Sequence, residues 1–369
     1  MSGQETTRGN GLHMTLLGMP VRVPLSGIIG VGVIAWLWLP SFGSYALGIV
    51  AALVFSVLLY AGILLHELAH GLTARRLGNR VHGITLWILG GFTVYERERL
   101  TAGKEALIAA SGPATTLALA AVSQALLLAI GPSLPALAVD VLTAFVWTNV
   151  LLGVLNLLPG LPLDGGGIVR ALFWGLTGSE FRGTQVAAWS GRVIAVIIVF
   201  LPLGLALVPG SGIDFMTVLV AAIFGIFMWA GATASLRSAR LEHRLPTVTA
   251  GSLARRAIPV AASDPLALVL SRMADSQAGA AVITNPAGTP LGILNDAAVA
   301  AVPPERRAWV HASSVMNTVG PDSGVGVQIG GRDLIAALQE AAAPAVLVRD
   351  HSGAIYGVLL VSDVESALH

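Results

Sequence analysis

The chain has 369 residues, of which 55% are hydrophobic and only 11% are charged, and its formal net charge is +1. With a mean hydropathy of +0.79, this composition is typical of a membrane protein and argues against two or three soluble domains. The chain has no cysteine, which excludes disulfides and thiol chemistry, so a bound metal would need His, Asp or Glu ligands.

The first part of the chain predicts a short leading segment and then membrane spans. Residues 1–20 lack the apolar core and small-residue cleavage site of a secretory signal. We therefore expect a cytoplasmic N-terminal segment, followed by an apolar span that is retained as an anchor. At about 20 apolar residues per crossing, the sequence predicts six spans, near 21–40, 45–70, 105–130, 136–158, 189–208 and 213–236.

The distribution of basic residues predicts the orientation of these spans. Three connections, near 41–44, 131–135 and 209–212, contain no lysine or arginine. Basic residues are retained on the cytoplasmic side of a membrane, so we expect a multi-pass cell-membrane protein with both termini in the cytoplasm. The basic residues assigned to the opposite, cytoplasmic loops are Arg75, Arg76, Arg80, Arg97, Arg99, Lys104, Arg170, Arg182, Arg192, Arg237, Arg240 and Arg244.

A short segment between the second and third spans has the composition of strands. The sequence VHGITLWILGGFTVY, residues 81–95, is rich in β-branched and aromatic residues and has Gly90-Gly91 near its centre. It is too short for two further crossings. We expect a hairpin or re-entrant sheet, which is tolerated at membrane depth only where its backbone is paired or lines a cavity.

The chain changes character after the last span. Short apolar strands, turn signals and helical stretches alternate, and residues 280–300 align with 345–368 as strand, turn, strand and helix. This pattern predicts a repeated α/β module. The predicted domains are a cytoplasmic segment at 1–20, a membrane domain at 21–240, and two repeats at 245–305 and 306–369.

A metal-binding motif lies at the end of the second predicted span, where the sequence reads His66-Glu67-Leu68-Ala69-His70. The i, i+4 spacing places both imidazoles on one helix face, where they can bind one Zn²⁺. Ionisable groups inside an apolar helix cost about 2.5 to 3.5 kcal/mol each on insertion scales and usually face a polar interior. The sequence thus predicts His66 and His70 as metal ligands and Glu67 as the base that accepts a proton from water.

A catalytic zinc site of this type needs a third protein ligand, and the best candidate is Asp164. It follows the fourth predicted span in the sequence NLLPGLPLDGGG, residues 156–167. Prolines break the helix there, and glycines let the backbone approach the metal closely. The alternative is that Asp164 caps the helix that begins near Gly167.

With both motifs in place, the sequence resembles the site-2 protease family of intramembrane metalloproteases, in its branch with six spans and paired CBS domains. The resemblance extends to Gly90-Gly91, similar to the family's membrane-inserted sheet, and to Ser111-Gly112-Pro113, similar to the start of its third span. It implies an α-helical polytopic membrane domain, with six transmembrane helices and a small membrane-associated β-sheet, and a cytoplasmic α/β tandem CBS module.

The resemblance also implies an activity. The chain would be a zinc metalloendopeptidase with one Zn²⁺, hydrolysing peptide bonds in or near a transmembrane helix, as in regulated intramembrane proteolysis. The expected substrate is a single-span membrane protein such as an anti-sigma factor, held extended along the strand at Gly90 and Gly91. Asn156 would bind the substrate backbone or the oxyanion, or else would hydrogen-bond another helix.

For the tail, the resemblance to CBS repeats implies pairing of the repeats, a homodimer through them, and an adenine nucleotide at Asp363. The signature is Gly-h-h-Thr-x-x-Asp, in which Gly357 and Asp363 fit but Leu360 replaces the threonine. In the first repeat Asn295 and Ala298 replace the threonine and the aspartate. A structural or dimerising role is an equal alternative to nucleotide binding.

The competing interpretation of the whole chain is a metal-binding membrane transporter or a non-catalytic scaffold. Glu67 argues against it, because an acidic residue that binds no metal is costly in an apolar helix unless it moves protons. A transporter would also carry ionisable residues through both leaflets, and Asp140 and Asp214 near the outer ends are among the few present. No nucleic-acid partner is expected.

Overall fold

The structure, a computed structural model, describes residues 11–43, 45–88, 90–97, 100–208, 210, 212–320 and 323–368. It divides into two compact units, Met1–Arg237 and Ser238–His369. Each unit is built around its own hydrophobic clusters.

The first unit is mainly helical. Its helices are α1 (Leu25–Phe42), α2 (Ala46–Arg76), α3 (Ala102–Ile130), α4 (Ala136–Asn156), α5 (Asp164–Thr177), α6 (Glu180–Ala206) and α7 (Phe215–Arg244). All except α5 are long and apolar enough to cross a membrane. The six predicted spans are therefore confirmed as helices, and the chain is a multi-pass membrane protein. Helix α5 was expected only in the alternative in which Asp164 caps a helix near Gly167; it begins at Asp164 itself, and Leu163 occupies the N-cap position.

The loop assignment is wrong for nine of the basic residues, which lie on helices instead. Six of them are at helix ends: Arg75 and Arg76 on α2, Lys104 on α3, and Arg237, Arg240 and Arg244 on α7. Arg170 lies on α5, and Arg182 and Arg192 lie on α6, which begins nine residues before the predicted span. The early start of α6 has a local cause, since the Ser179 side chain caps the helix by accepting a hydrogen bond from the Arg182 N–H at 3.3 Å. Hydropathy does not record such a cap. Arg99 lies outside the described residues.

The predicted small sheet is present, and it is larger than expected. Its strands are β1 (Gly11–Leu16), β2 (Met19–Pro24), β3 (Val81–Trp87) and β4 (Gly90–Tyr95), paired in that order. Strands β1 and β2, part of which was expected to be a plain leading segment, form a hairpin whose second strand pairs in parallel with β3. Met19, Ile84 and Leu86 of this sheet are buried against Leu68 of α2.

The second unit is an α/β module built from two copies of one pattern. Its elements are α8 (Ala250–Leu253), β5 (Arg255–Ala261), α9 (Leu266–Asp275), β6 (Ala280–Thr284), β7 (Pro290–Leu294), α10 (Asp296–Ala300), β8 (Met316–Thr318), β9 (Val325–Gly326), α11 (Gly331–Ala341), β10 (Ala345–Arg349), β11 (Ile355–Leu360) and α12 (Val361–Leu368). In each copy a strand, a helix and an antiparallel hairpin follow one another, and the first strand pairs in parallel with the first hairpin strand. The predicted repeat is confirmed.

One ion pair joins the two copies. The sheet order is β8-β7-β6-β5-β11-β10-β9, so the copies meet where β5 pairs with β11. Beside this junction the Arg255 guanidinium donates two hydrogen bonds to the Asp363 carboxylate, at 2.7 and 2.8 Å. This guanidinium lowers the pKa of Asp363, because an adjacent positive charge and two donors favour the ionised carboxylate.

Replacing Asp363 by Asn should destabilise the second unit by about 0.5 to 1 kcal/mol at pH 7, the usual range for a partly exposed pair. Because the pKa of Asp363 is lower in the folded state, the stabilisation is complete above the unfolded value of about 3.9 and is lost as the pH falls through the folded value. Hydrogen exchange of β5 and β11 peptides in the full chain measures the effect. The control is Asp296→Asn, since Asp296 lies 3.9 Å from Arg255 and is 71% exposed; equal exchange in both variants would contradict the prediction.

Candidate metal centre

Two imidazole rings meet on one face of α2. His66 and His70 are one turn apart and are 8% and 7% exposed, respectively. Their Nε2 atoms point toward each other and lie 3.1 Å apart. The i, i+4 spacing of the sequence therefore produces the shared face that was expected from it.

The partners of the other ring nitrogens define the protonation of both rings. His70 Nδ1 lies 2.7 Å from the Ile108 carbonyl oxygen, which only accepts, so Nδ1 carries the proton. His66 Nδ1 lies 2.8 Å from Thr116 Oγ1, and that hydroxyl donates its own hydrogen to the Gly112 carbonyl at 3.2 Å. His66 Nδ1 is then also the donor. In the neutral form of each ring Nε2 is then unprotonated, and this is the form that binds metal.

Asp164 completes a three-ligand group. It is the first residue of α5, and its two carboxylate oxygens lie 3.1 Å from His66 Nε2 and 3.3 Å from His70 Nε2. Helix α6 fixes the connection that leads to it, because the Leu161 N–H donates to the Ala187 carbonyl at 3.1 Å and Ser190 donates to the Pro159 carbonyl. The structure thus brings together the three ligands predicted from two distant motifs.

The spacing of this group fits a tetrahedral metal. Ligand atoms about 2.0 to 2.1 Å from a tetrahedral ion lie roughly 3.3 Å from one another. Here the two Nε2 atoms lie 3.1 Å apart, and they lie 3.1 and 3.3 Å from the two different oxygens of the Asp164 carboxylate. Two unprotonated nitrogens and a carboxylate at this spacing repel one another unless a cation lies among them.

Gly112 of α3 leaves the space that such an ion needs. A Cβ atom at this position would lie 2.6 Å from His66 Nε2 and closer still to His70 Nε2. Any other residue would therefore occupy the volume that the two nitrogens face. The sequence Ser111-Gly112-Pro113 was singled out only as a helix start, and this close approach is the physical reason for its glycine.

Glu67 lies beside the ligand group without joining it. Its side chain is 6% exposed, and Oε2 accepts a hydrogen bond from Thr93 Oγ1 of β4 at 2.7 Å. Gly91 of β4 packs on the same side chain, since a Cβ there would lie 2.6 Å from Glu67 Cγ. The sheet therefore orients the carboxylate that was predicted to act as base.

Two cavities border the ligand group, and both are lined by Glu67 and Asp164. One, of about 410 Å³, extends between α2, α4 and α7 and is mainly apolar, with Phe224 and Phe227 among its lining residues. Gly90, Gly91 and Asn156, which were predicted to contact substrate, also line this cavity. The other, of about 250 Å³, is lined by Glu105 and Arg170 beside His70.

An ion-pair network encloses the smaller cavity. Glu105 of α3 is 1% exposed, and its carboxylate pairs with Arg170 of α5 and, at 3.6 Å, with Arg97. Arg97 also pairs with Glu180 at the start of α6. The network ties α3 to α5, the helix that begins with Asp164. A buried carboxylate needs such partners.

Several of these residues were not found from the sequence. Thr93, Thr116, Glu105 and Asn149 are polar groups that contact the site or line its cavities. Thr116 and Asn149 lie within long apolar segments, and a polar residue inside such a segment is a recognisable signal. Thr93 and Glu105 carry no comparable signal, because threonine is common in strands such as β4 and acidic residues are common in the first turn of a helix such as α3.

Fold and site together define the class of this protein, a polytopic membrane protein whose helical unit contains a His-His-Asp group that could hold a metal ion. Residues 54–135 and 128–201 match the model of Peptidase family M50. This match, which covers less than half of the chain, supports the resemblance to site-2 proteases.

Three proteins illustrate the similarity. Rip3 of Mycobacterium tuberculosis strain H37Rv, whose name describes a zinc metalloprotease, is 43% identical over 159 residues, which are 43% of this chain and 40% of Rip3. A site-2 protease structure from Methanocaldococcus jannaschii is 22% identical, with a TM-score of 0.43 over 61% of this chain and 95% of that one. The CBS-domain protein TA0289 of Thermoplasma acidophilum is 16% identical, with a TM-score of 0.26 over 33% and 72%. The chain thus matches less than half the length of Rip3.

Replacing Gly112 by Ala should remove bound metal, because the added methyl group occupies the space between the two Nε2 atoms. We expect at least a tenfold loss of metal per chain, measured by atomic emission on the purified protein. The matched control is Gly103→Ala on the same helix, where nothing lies within 4 Å of the added carbon. Metal retention by Gly112→Ala would contradict the proposed ligand group.

Replacing Glu105 by Gln should destabilise the membrane unit by about 3 kcal/mol, since it removes the buried charge that pairs with Arg170 and Arg97. Thermal unfolding followed by tryptophan fluorescence measures this, because Trp174 packs in the adjoining cluster. Glu180→Gln removes the 40% exposed partner of Arg97 and should cost no more than about 1 kcal/mol. Equal midpoints for the two variants would show that the Glu105 network is not a structural tie.

Proposed function

We propose that the chain is an intramembrane zinc metalloendopeptidase that hydrolyses peptide bonds in or near a transmembrane helix of a membrane protein. The observation that carries this proposal is the buried group of two imidazole Nε2 atoms 3.1 Å apart, each 3.1 or 3.3 Å from an oxygen of one carboxylate, beside the buried Glu67. The family match and the name of Rip3 support it.

We propose that His66, His70 and Asp164 hold one Zn²⁺ per chain. Two imidazole nitrogens and a carboxylate form the donor set of known catalytic zinc sites, in which a fourth position stays open. When bound there, zinc supplies a Lewis acid that polarises the scissile carbonyl and makes water acidic enough to ionise near neutral pH.

Glu67 is the proton carrier in this proposal. Its carboxylate borders both cavities, so it can accept a proton from the attacking water and donate it to the leaving amine nitrogen. Thr93 holds one carboxylate oxygen and leaves the other for this exchange. The polar cavity beside Glu105 and Arg170 supports a role as the water path, whereas the larger, apolar cavity suits the substrate.

The substrate class follows from the shape of the larger cavity. A peptide bond in a helix is shielded by its own hydrogen bonds, so a helical substrate must unwind before it reacts. Strand β4 is the edge of its sheet in the described structure, and Gly90 and Gly91 line the cavity. We propose that an extended segment pairs with this edge, next to Asn156, and that the substrate is a single-span membrane protein such as an anti-sigma factor.

We further propose that the chain lies in the cell membrane with both termini in the cytoplasm.

For the second unit we propose a structural or dimerising role rather than adenine-nucleotide binding. Asp363, the residue expected to contact the ribose, already accepts two hydrogen bonds from Arg255. A nucleotide would have to displace this pair.

Replacing Glu67 by Gln should abolish cleavage while leaving the metal in place, because the amide cannot accept a proton but nearly preserves the shape of the side chain. The assay co-expresses the chain with tagged single-span membrane proteins from its host, and it scores released fragments and zinc content together. Asp164→Asn is the companion variant and should lose zinc as well as activity.

The two readouts separate the alternatives. Cleavage only by the unsubstituted chain, with about one zinc in both it and Glu67→Gln, supports the protease. Zinc in both forms with no cleavage of any tagged protein would favour the transporter or scaffold. Unchanged cleavage by Glu67→Gln would show that this carboxylate is not the base.

A further inference from the structure

We propose that Asn149 is a substrate-binding residue that accepts a hydrogen bond from the backbone of the extended peptide, about three residues from the cleaved bond. This inference rests on the proposed function. It concerns a residue outside both metal-binding motifs, and it assigns a recognition role to the wall of the larger cavity formed by α4.

Asn149 is buried, yet it is incompletely paired. It is 1% exposed and lies in the apolar helix α4, where its Nδ2 donates to the Phe145 carbonyl at 2.8 Å. In the described part of the chain this is the only hydrogen bond of its side chain. The carbonyl of Phe145 can only accept, so the amide nitrogen faces it and Oδ1 faces the opposite way. A buried carboxamide with an unused acceptor is costly inside an apolar helix.

The unused oxygen lies at the substrate cavity. Oδ1 would be 3.3 Å from a Cβ atom placed on Gly62 of α2, so the glycine leaves room in front of it. Asn149 and Gly62 both line the larger cavity together with His66 and Glu67. The acceptor therefore faces a space that ends at the metal ligands, one helical turn along α2 from Gly62.

The spacing along α4 matches an extended chain. Asn149, Leu152 and Asn156 lie on one face of α4 and all line the cavity, as positions separated by three and four residues do. Seven helical residues span about 10.5 Å, which is close to three residues of a strand at about 3.4 Å each. A peptide paired with β4 on one side could thus meet Asn156 near the metal and Asn149 about three residues further on.

A recognition role of this kind is independent of side-chain sequence. A carboxamide oxygen accepts from any backbone N–H, and an unwound helix offers N–H groups that have lost their partners. In an apolar cavity such groups need a new acceptor. The site would therefore select for a segment that unwinds readily, whichever apolar side chains it carries.

The test measures binding of a defined probe to the full-length chain with Glu67→Gln, which prevents turnover. The probe is a fluorescent 30-residue apolar peptide with a central Asn-Gly-Pro segment, added in detergent micelles and followed by anisotropy. Asn149→Leu should raise Kd about tenfold. Thr148→Val is the matched control, because Thr148 makes the same kind of hydrogen bond, to the Ala144 carbonyl at 2.7 Å, and should leave Kd unchanged.

A second probe series separates a binding role from a structural one. Esters that replace single backbone amides remove one N–H at a time along the peptide. With Asn149 present, one ester about three residues from the bond that the unsubstituted chain cleaves should weaken binding, and with Asn149→Leu the same ester should have no effect. Additive effects of ester and variant at every position would overturn the proposal.

The failures of the two proposals are distinguishable. If the unsubstituted chain holds zinc and cleaves the probe, but Asn149→Leu binds it as well as Thr148→Val does, only the inference about Asn149 is wrong. If Asn149→Leu lowers the thermal unfolding midpoint without changing Kd, the residue is structural and the inference is again wrong. If the unsubstituted chain neither holds zinc nor binds the probe, both proposals fail.

Discussion

The close approach of two imidazole Nε2 atoms, 3.1 Å apart, is the constraint on which the site depends, because in the neutral rings these two nitrogens repel each other. The rings cannot relieve this repulsion by rotating, because Thr116 and the Ile108 carbonyl hold their Nδ1 atoms. The backbone of α3 at Gly112 also packs closely against both rings. A cation stabilises this arrangement, and α5 adds a carboxylate of the appropriate charge. The packing of α2, α3 and α5, the hydrogen bonds to the two Nδ1 atoms and the positions of the three candidate ligands therefore depend on one another.

The cost of burying polar groups inside a membrane explains why the two cavities differ. Inside a membrane, polar groups need partners or water, and the smaller cavity is lined by a charged pair of this kind, the buried Glu105 with Arg170. The larger cavity is bordered by aliphatic and aromatic side chains and has a strand edge along one wall. Glu67 lines both. Its position suits a residue that must exchange a proton between water and a peptide bond held in apolar surroundings.

Much of this could be predicted from the sequence, for identifiable reasons. Six apolar segments have only one stable structure at membrane depth, which is the helix, and all six were found. The pairing of His66 with His70 follows from helix geometry alone. Predicting that Asp164 lies near these two histidines required both motifs to be considered together. Its separation from His66 along the sequence does not by itself indicate that the two residues are close in the fold.

Other features depended on contacts that the sequence does not record. The strand from Met19 to Pro24 pairs in parallel with β3, a partner more than 50 residues away, so the leading segment gave no local sign of joining the sheet. Helix α5 follows a proline-rich connection and was read as a loop. The network around Glu105 joins α3, α5 and α6, and only the folded arrangement shows that these charges meet.

The central claim is that two imidazoles and one carboxylate of this chain hold a zinc ion, and X-ray absorption at the zinc edge tests it most directly. Measured on the purified full-length protein, the spectrum should show about one zinc per chain with only nitrogen and oxygen neighbours near 2.0 to 2.2 Å, including the outer-shell scattering of two imidazole rings. A protein that takes up no zinc from metal-replete buffer, or a spectrum with fewer than two imidazoles, would contradict the account.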